Sequence, residues 1–172
     1  GVGWMKEEFD ALGVPWERRG ARNDEYIEAM RALWQGPHAE YHGDFVDFEP
    51  ATCSPRPVNG SIPVIVGGDS DAAISRAVRI ADGYFPGEGD IAQLGALLDR
   101  VRQAAEAAGR DPASIEFSAI FGSQMANPEQ GVEEMASIGV DRIMVPAFFF
   151  GGPDGLDNLD QLSERIMPIA NG

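Results

Sequence analysis

The chain has 172 residues, of which 44% are hydrophobic and 24% are charged, a composition typical of a folded globular domain. Its formal net charge of −15 excludes a nucleic-acid-binding protein that relies on clustered Lys and Arg. We expect neither a membrane span nor a signal peptide, since no apolar run is long enough. The single cysteine, Cys53, indicates a reducing compartment, and we expect a cytoplasmic protein.

The first part of the chain predicts two helices and a long irregular segment. Apolar side chains at helical spacing indicate a helix over residues 5–12, and Asn23 is predicted to cap a second helix that ends at Gly36. Residues 38–61 lose helical periodicity and carry a turn signal at Gly43, which indicates a small hairpin within a loop insertion. A loop of this length is typically functional or a lid.

From residue 62 onward, predicted strands and helices alternate. The strands cover residues 62–66, 83–85, 115–121 and 142–145, and the helices cover 71–80, 91–108, 129–138 and 156–166. This order predicts an α/β fold with a parallel sheet of about four βα units. Because a closed (β/α)8 barrel needs about 250 residues, we expect residues 1–172 to form one domain, the C-terminal half of a TIM barrel. An open doubly wound sheet is the alternative.

Two glycine-containing segments are candidate ligand sites. Val66-Gly67-Gly68-Asp69-Ser70 follows a buried strand and opens a helix, so its backbone N–H groups suit a phosphate. An ordinary strand–helix turn with a Ser or Asp cap accounts for the same residues. The second segment contains Gly1, Gly3, Trp4 and Glu7. Its glycines permit close approach of a ligand. Glu7 has an alternative role, because a carboxylate in the first turn of a helix interacts favourably with the helix dipole. We find no metal-ligand pattern.

The order of these motifs resembles the luciferase-like monooxygenase family. The similarity begins with Gly1-Val2-Gly3-Trp4-Met5-Lys6-Glu7-Glu8-Phe9 and continues through Pro55-Arg56-Pro57, Ile62-Pro63-Val64-Ile65-Val66-Gly67-Gly68, Ala81-Asp82-Gly83-Tyr84 and Gly139-Val140-Asp141-Arg142. It covers nearly the whole chain in the same order. The Gly-Trp-x-x-x-Glu form looks most like members that use the deazaflavin coenzyme F-420.

The resemblance implies a TIM-barrel oxidoreductase that transfers a hydride between coenzyme F-420 and a small organic substrate. It implies that residues 66–71 hold the cofactor phosphate, that residues 1–7 approach the deazaflavin ring, and that residues 38–61 lie near the mouth of the site. FMN is the alternative cofactor, and a non-catalytic half barrel that binds a phosphate or a partner is the alternative function. A sugar-phosphate isomerase would need a Glu or Lys base at a strand end, and none is convincing.

The resemblance also leaves the catalytic acid or base unassigned. In this family the first four strands carry that group, and the chain contains no counterpart of them. We therefore expect no turnover from these 172 residues alone. Because a half barrel has two unpaired sheet edges, we expect a homo-oligomer or pairing with an N-terminal half barrel.

Overall fold

The structure, a computed structural model, describes residues 1–170 and divides into two compact units, Gly1–Val64 and Ile65–Gly172. The first unit contains two helices and a hairpin. Its elements are α1 (Lys6–Leu12), α2 (Arg19–Gln35), β1 (Ala39–His42) and β2 (Asp47–Ala51). The strands are antiparallel, with Tyr41 opposite Phe48. The hairpin predicted around Gly43 is therefore confirmed.

The predicted start of α2 is wrong. Asn23 lies inside the helix, which begins four residues earlier at Arg19. The residue before it, Arg18, has a left-handed backbone with φ of 54° and provides no side-chain cap. The preceding turn is held by the guanidinium of Arg22, which donates to the carbonyl oxygens of Pro15 and Glu17 at 2.7 and 3.2 Å. A helix that begins without a capping side chain lacks the Ser, Thr, Asp or Asn that usually marks a helix start in the sequence.

The second unit is an alternation of parallel strands and helices. Its main elements are β3 (Ile65–Gly67), α3 (Asp71–Ile80), β4 (Gly83–Phe85), α4 (Ile91–Ala107), β5 (Glu116–Ile120), α5 (Pro128–Ser137), β6 (Arg142–Met144) and α6 (Gly155–Ala170). Short 3₁₀ turns cover Pro112–Ser114, Ser123–Ala126 and Ala147–Phe150. The strands pair in the order β3-β4-β5-β6, all parallel. The predicted α/β fold with four βα units is confirmed.

The core of the second unit lies between the sheet and one stripe of each helix. In α4 the buried residues Leu94, Leu98, Val101 and Ala105 recur at helical spacing. They are 0% exposed, as is Tyr84 at the centre of β4. Because the four strands are parallel, their carboxyl ends and the loops that follow them lie together at one edge of the sheet.

The strand predicted over residues 62–66 begins three residues later than expected. Pro63 has no backbone N–H to donate, and the side chain of Ile62 is 49% exposed. The paired residues are Ile65, Val66 and Gly67. Among the described residues, β3 and β6 each pair with one neighbour only, so each presents an open edge.

The last helix reaches Ala170, four residues beyond the predicted end at residue 166, and Pro168 lies in its final turn. In the part of the chain that the structure describes, none of the helices is long and apolar enough to cross a membrane.

Candidate functional site

The first predicted segment lies in the first unit, ahead of α1. Gly3 has φ of +82°, and a Cβ there would lie 2.5 Å from Cε2 of Phe9, so a side chain at this position would be strained and would displace the Phe9 ring. Its carbonyl oxygen accepts a hydrogen bond from Nε of Arg19 at 3.3 Å. Trp4 is 81% exposed, and the Glu7 side chain is exposed in the first turn of α1. Gly1 is exposed, with nothing within 4 Å of a Cβ built on it.

The ring of Trp16 holds this segment against the helices of its unit. The guanidinium of Arg19 lies 3.7 Å from the Trp16 ring centroid, and the Phe9 ring meets Trp16 edge-on at 5.1 Å. Arg19 thus contacts both the ring and the Gly3 carbonyl. These contacts hold the backbone at Gly3, while the Trp4 side chain is exposed.

The second predicted segment is the turn from β3 into α3, in the second unit. Val66 is buried at the centre of β3. A Cβ on Gly67 would lie 3.0 Å from the carbonyl oxygen of Phe85 in β4, so the two strands approach closely at their carboxyl ends. Gly68 has φ of +111°, and a Cβ there would lie 3.3 Å from Cβ of Ala73. The backbone conformation at Gly68 therefore favours glycine, and a side chain at Gly67 would crowd β4.

Ser70 caps α3, as the sequence predicts. Its Oγ accepts a hydrogen bond from the Ala73 N–H at 3.3 Å, which leaves the hydroxyl proton available to a ligand. Helix geometry leaves the N–H groups of Asp71 and Ala72 without an intrahelical carbonyl. The turn therefore combines backbone donors, a hydroxyl donor and the positive end of a helix dipole, which together suit an anion.

The two carboxylates of this turn are directed to protein partners. Oδ1 of Asp69 accepts a hydrogen bond from the Gly87 N–H at 2.9 Å, which ties the loop after β3 to the loop after β4. The Asp71 carboxylate forms an ion pair with the guanidinium of Arg100 in α4. The negative charge that would oppose a phosphate is thus partly neutralised and held beside neighbouring loops.

Sequence reasoning missed Tyr84, which lies beneath the turn. Its hydroxyl donates to the carbonyl oxygen of Gly68 at 2.8 Å. Burial, together with the charge of Asp69, raises the pKa of Tyr84 to about 12, so the phenol stays protonated and remains a donor. The only available signal was a tyrosine in a strand otherwise expected to be apolar, whose hydroxyl must find a partner when buried.

Gln124 also escaped sequence analysis, and it links the loops after β4 and β5. Its side-chain nitrogen donates to the Gly89 carbonyl oxygen at 3.1 Å, and its side-chain oxygen accepts from the Gly122 N–H at 3.2 Å. A Cβ on Gly131 would lie 2.5 Å from Cβ of Gln124, so a glycine in α5 makes room for it. The loops after β3, β4 and β5 are therefore connected along one edge of the sheet.

The loop after β4 supplies carboxylates rather than cations. Oε1 of Glu88 accepts from the N–H groups of Gly89 and Asp90, and Asp90 caps α4 by accepting from the Gln93 N–H at 3.0 Å. A polar cavity of about 220 Å³ opens beside Asp90, and Ser123 and Gln130 also line it. A larger groove of about 910 Å³ lies between α3 and α4, and it reaches Asp71 at the start of α3.

The structure therefore brings Val66, Gly67, Gly68, Asp69 and Ser70 together with the loop after β4. Gly1, Gly3, Trp4 and Glu7 belong to the other unit, where they lie with α1 and α2. No group of three or more His, Cys, Asp or Glu side chains that could hold a metal ion occurs within residues 1–170.

Parallel strands that alternate with helices along the chain define the class of α/β proteins. Within that class the chain belongs to the luciferase-like monooxygenase family, because the model of that family matches residues 1–164. The resemblance drawn from the sequence is thereby confirmed.

Two curated proteins are similar to the chain in sequence. An uncharacterised protein of Mycobacterium tuberculosis (strain H37Rv) is 35% identical over 170 residues, which cover 94% of this chain and 57% of that protein. The FMNH2-dependent dimethylsulfone monooxygenase of Pseudomonas putida is 37% identical over 111 residues, or 62% of this chain and 31% of that enzyme. The chain thus spans little more than half the length of the first relative.

A solved structure supports the fold. The coenzyme F-420-dependent tetrahydromethanopterin reductase of Methanopyrus kandleri superposes with a TM-score of 0.74 at 16% identity, covering 96% of this chain and 72% of the reductase. At that identity the similarity concerns the fold alone. It agrees with the arrangement of strands and helices described above.

Proposed function

We propose that the chain is part of an oxidoreductase that binds coenzyme F-420 and transfers a hydride between it and a small organic substrate. The observation that carries the proposal is the turn at residues 67–70, where two glycines and a serine cap present donors at the positive end of α3. Membership of the luciferase-like family supports an oxidoreductase in general.

The residues of the turn fit a phosphate group. Gly67 and Gly68 leave the backbone uncovered, and Ser70 has a hydroxyl proton to donate while its Oγ caps the helix. The carboxylates of Asp69 and Asp71 already have partners, so neither must be turned toward the anion. We propose that Val66, Gly67, Gly68, Asp69 and Ser70 hold the cofactor phosphate, and that Gly1, Gly3, Trp4 and Glu7 approach the ring.

The hydride chemistry would be supplied by the bound coenzyme. The role of the described residues is binding and orientation: the turn fixes one end of the cofactor, and the exposed indole of Trp4 can cover an apolar surface. We assign no catalytic acid or base to this chain.

FMN is the second candidate cofactor. The Pseudomonas putida relative is FMNH2-dependent by name and 37% identical over 111 residues. A phosphate is common to FMN and coenzyme F-420, so the turn at residues 67–70 suits either. The choice between them rests on contacts with the ring.

Fluorescence titration tests the phosphate site. We expect coenzyme F-420 or FMN to bind at least about tenfold more tightly than riboflavin, which has the same ring as FMN but no phosphate. The Gly68→Ala variant should lose this preference, because its Cβ would strain the turn and approach Ala73. The proposal would be refuted if neither coenzyme F-420 nor FMN bound more tightly than riboflavin to the wild type, and the tighter of the two cofactors identifies the natural one.

The Gly109→Ala variant is the matched control. Gly109 also has positive φ, +71°, but nothing lies within 4 Å of a Cβ built on it, and it follows α4 at the opposite edge of the sheet. A side chain at a positive φ is thus introduced away from the turn. Gly109→Ala should keep the phosphate preference of the wild type.

A further inference from the structure

We propose that Tyr84 is a positioning residue for the phosphate: its hydroxyl fixes the peptide between Gly68 and Asp69 so that the Asp69 N–H faces the anion. The inference rests on the proposed function, because it concerns the same turn. It adds a side chain that neither the sequence motifs nor the family resemblance marks as part of the site.

The position of Tyr84 is fixed by strand pairing and by burial in the core. It lies at the centre of β4, pairs with Val66 of β3, and is 0% exposed. Its hydroxyl reaches past the end of β3 to the carbonyl oxygen of Gly68, at 2.8 Å. The ring is held by the core, so the hydroxyl is a fixed donor rather than one that adapts to the turn.

The direction of one peptide group follows from this bond. In a trans peptide the carbonyl of one residue and the N–H of the next point in opposite directions. Since the Gly68 carbonyl points to Tyr84, the Asp69 N–H points away from Tyr84, to the open side of the turn. That N–H thereby joins those of Asp71 and Ala72 as a donor to a bound anion.

The hydrogen bond from Tyr84 is needed because glycine leaves the backbone of this turn conformationally free. Gly68 has φ of +111°, and the preceding residue is also glycine, so the backbone alone permits several orientations of this peptide. The Asp69 carboxylate is held separately by the Gly87 N–H at 2.9 Å. Tyr84 therefore orients the donor, while Gly87 keeps the adjacent negative charge on the neighbouring loop.

Amide-resolved NMR with inorganic phosphate tests the inference on the 172-residue chain. In the wild type, the amide signals of Asp69, Asp71 and Ala72 should move together as phosphate is added. In Tyr84→Phe, which removes only the hydroxyl, the Asp69 response should be lost and the dissociation constant should rise about tenfold. The responses of Asp71 and Ala72 should remain, at higher phosphate concentration.

Tyr41→Phe is the matched control. It removes another tyrosine hydroxyl, one that donates to Glu28 at 2.8 Å in the first unit. This variant should keep the wild-type response at every amide of the turn. A general loss of stability would weaken all amide responses alike, whereas loss of orientation removes that of Asp69 selectively.

The outcomes separate the inference from the proposed function. If no amide of residues 67–72 responds in the wild type, the phosphate site itself is refuted and the inference falls with it. If Asp71 and Ala72 respond in the wild type but Asp69 does not, the inference alone is overturned, whether or not the variant folds. An unchanged Asp69 response in Tyr84→Phe overturns it as well.

Discussion

The Glu25 carboxylate attaches the hairpin to α2, and its removal should release the hairpin turn. Oε1 of Glu25 accepts hydrogen bonds from the N–H groups of Phe45 and Val46, each at 2.6 Å, and Oε2 accepts from the Asp44 N–H at 3.1 Å. A Cβ on Gly43 would collide with this carboxylate, so the turn is shaped around it. The hairpin lies in the segment that the family resemblance places at the mouth of the site.

The size of the effect follows from these three bonds. A hydrogen bond to a charged acceptor is worth about 1.5–3 kcal/mol, but the turn is partly exposed and water can replace the lost acceptor. We therefore expect Glu25→Ala to lower the free energy of unfolding of the first unit by about 2–3 kcal/mol. Glu25→Gln should lower the free energy of unfolding by less, because the amide oxygen still accepts hydrogen bonds. Some loss remains, since the NH2 group of the amide faces one backbone N–H.

Urea unfolding and amide hydrogen exchange measure this effect. In Glu25→Ala the amides of Asp44, Phe45 and Val46 should exchange much faster, while those of the second unit should be unchanged. Glu28→Ala is the control, since Glu28 lies one turn along α2 and accepts a hydrogen bond from the Tyr41 hydroxyl. Unchanged exchange at residues 44–46 in Glu25→Ala would refute the reasoning.

Four further predictions concern the second unit and the whole chain. Asp69→Asn keeps an acceptor for the Gly87 N–H but removes a negative charge beside the turn. The affinity for phosphate should therefore rise several-fold in a titration. A decrease would show that the carboxylate helps binding. Because the pKa of Tyr84 is raised from 10 to about 12 in the folded chain, its stabilising effect is complete below pH 10 and is lost as the pH rises toward 12. Urea unfolding at pH 9 and 11.5 should show a smaller loss in Tyr84→Phe than in the wild type, and an equal loss would contradict this. We expect the chain alone to turn over no substrate, and normal activity would contradict this. We also expect it to self-associate in light scattering, and to do so less after Phe148→Ser, because the Phe148 ring is 76% exposed. A monodisperse wild-type monomer would contradict the second expectation.

Local signals in the sequence were sufficient for several elements of the second unit. The helix predicted over residues 71–80 matches α3 at both ends, because Ser70 caps it and Ala73, Ile74, Ala77 and Val78 recur on its buried face. The strand predicted over residues 83–85 likewise matches β4. Capping and periodicity are properties of neighbouring residues, so a single sequence contains them.

The interactions that shape the candidate site join residues that are distant in sequence. The bond between Tyr84 and Gly68 depends on the parallel register of β3 and β4, which places Val66 beside Tyr84. The contacts of Gln124 with Gly89 likewise join residues far apart in sequence. Such pairings follow from tertiary structure, so the sequence could indicate the glycine turn but not the side chains that orient it.

The start of α2 was missed for a related reason. The helix begins after a left-handed Arg18 and is stabilised by Arg22, whose guanidinium donates to backbone carbonyls of the preceding turn. The conventional capping residue, Asn23, lies inside the helix instead. Side-chain contacts to the preceding backbone replaced the cap, and no short-range pattern reveals them.

The most direct test of the phosphate site compares the amide spectra of the wild-type chain with FMN and with riboflavin. The two ligands share a ring, so the difference between the two shift maps isolates the phosphate. We predict that this difference concentrates at residues 67–72, in the turn between β3 and α3. A difference that falls elsewhere in the chain, or no difference at all, would contradict the assignment of this turn as the phosphate site.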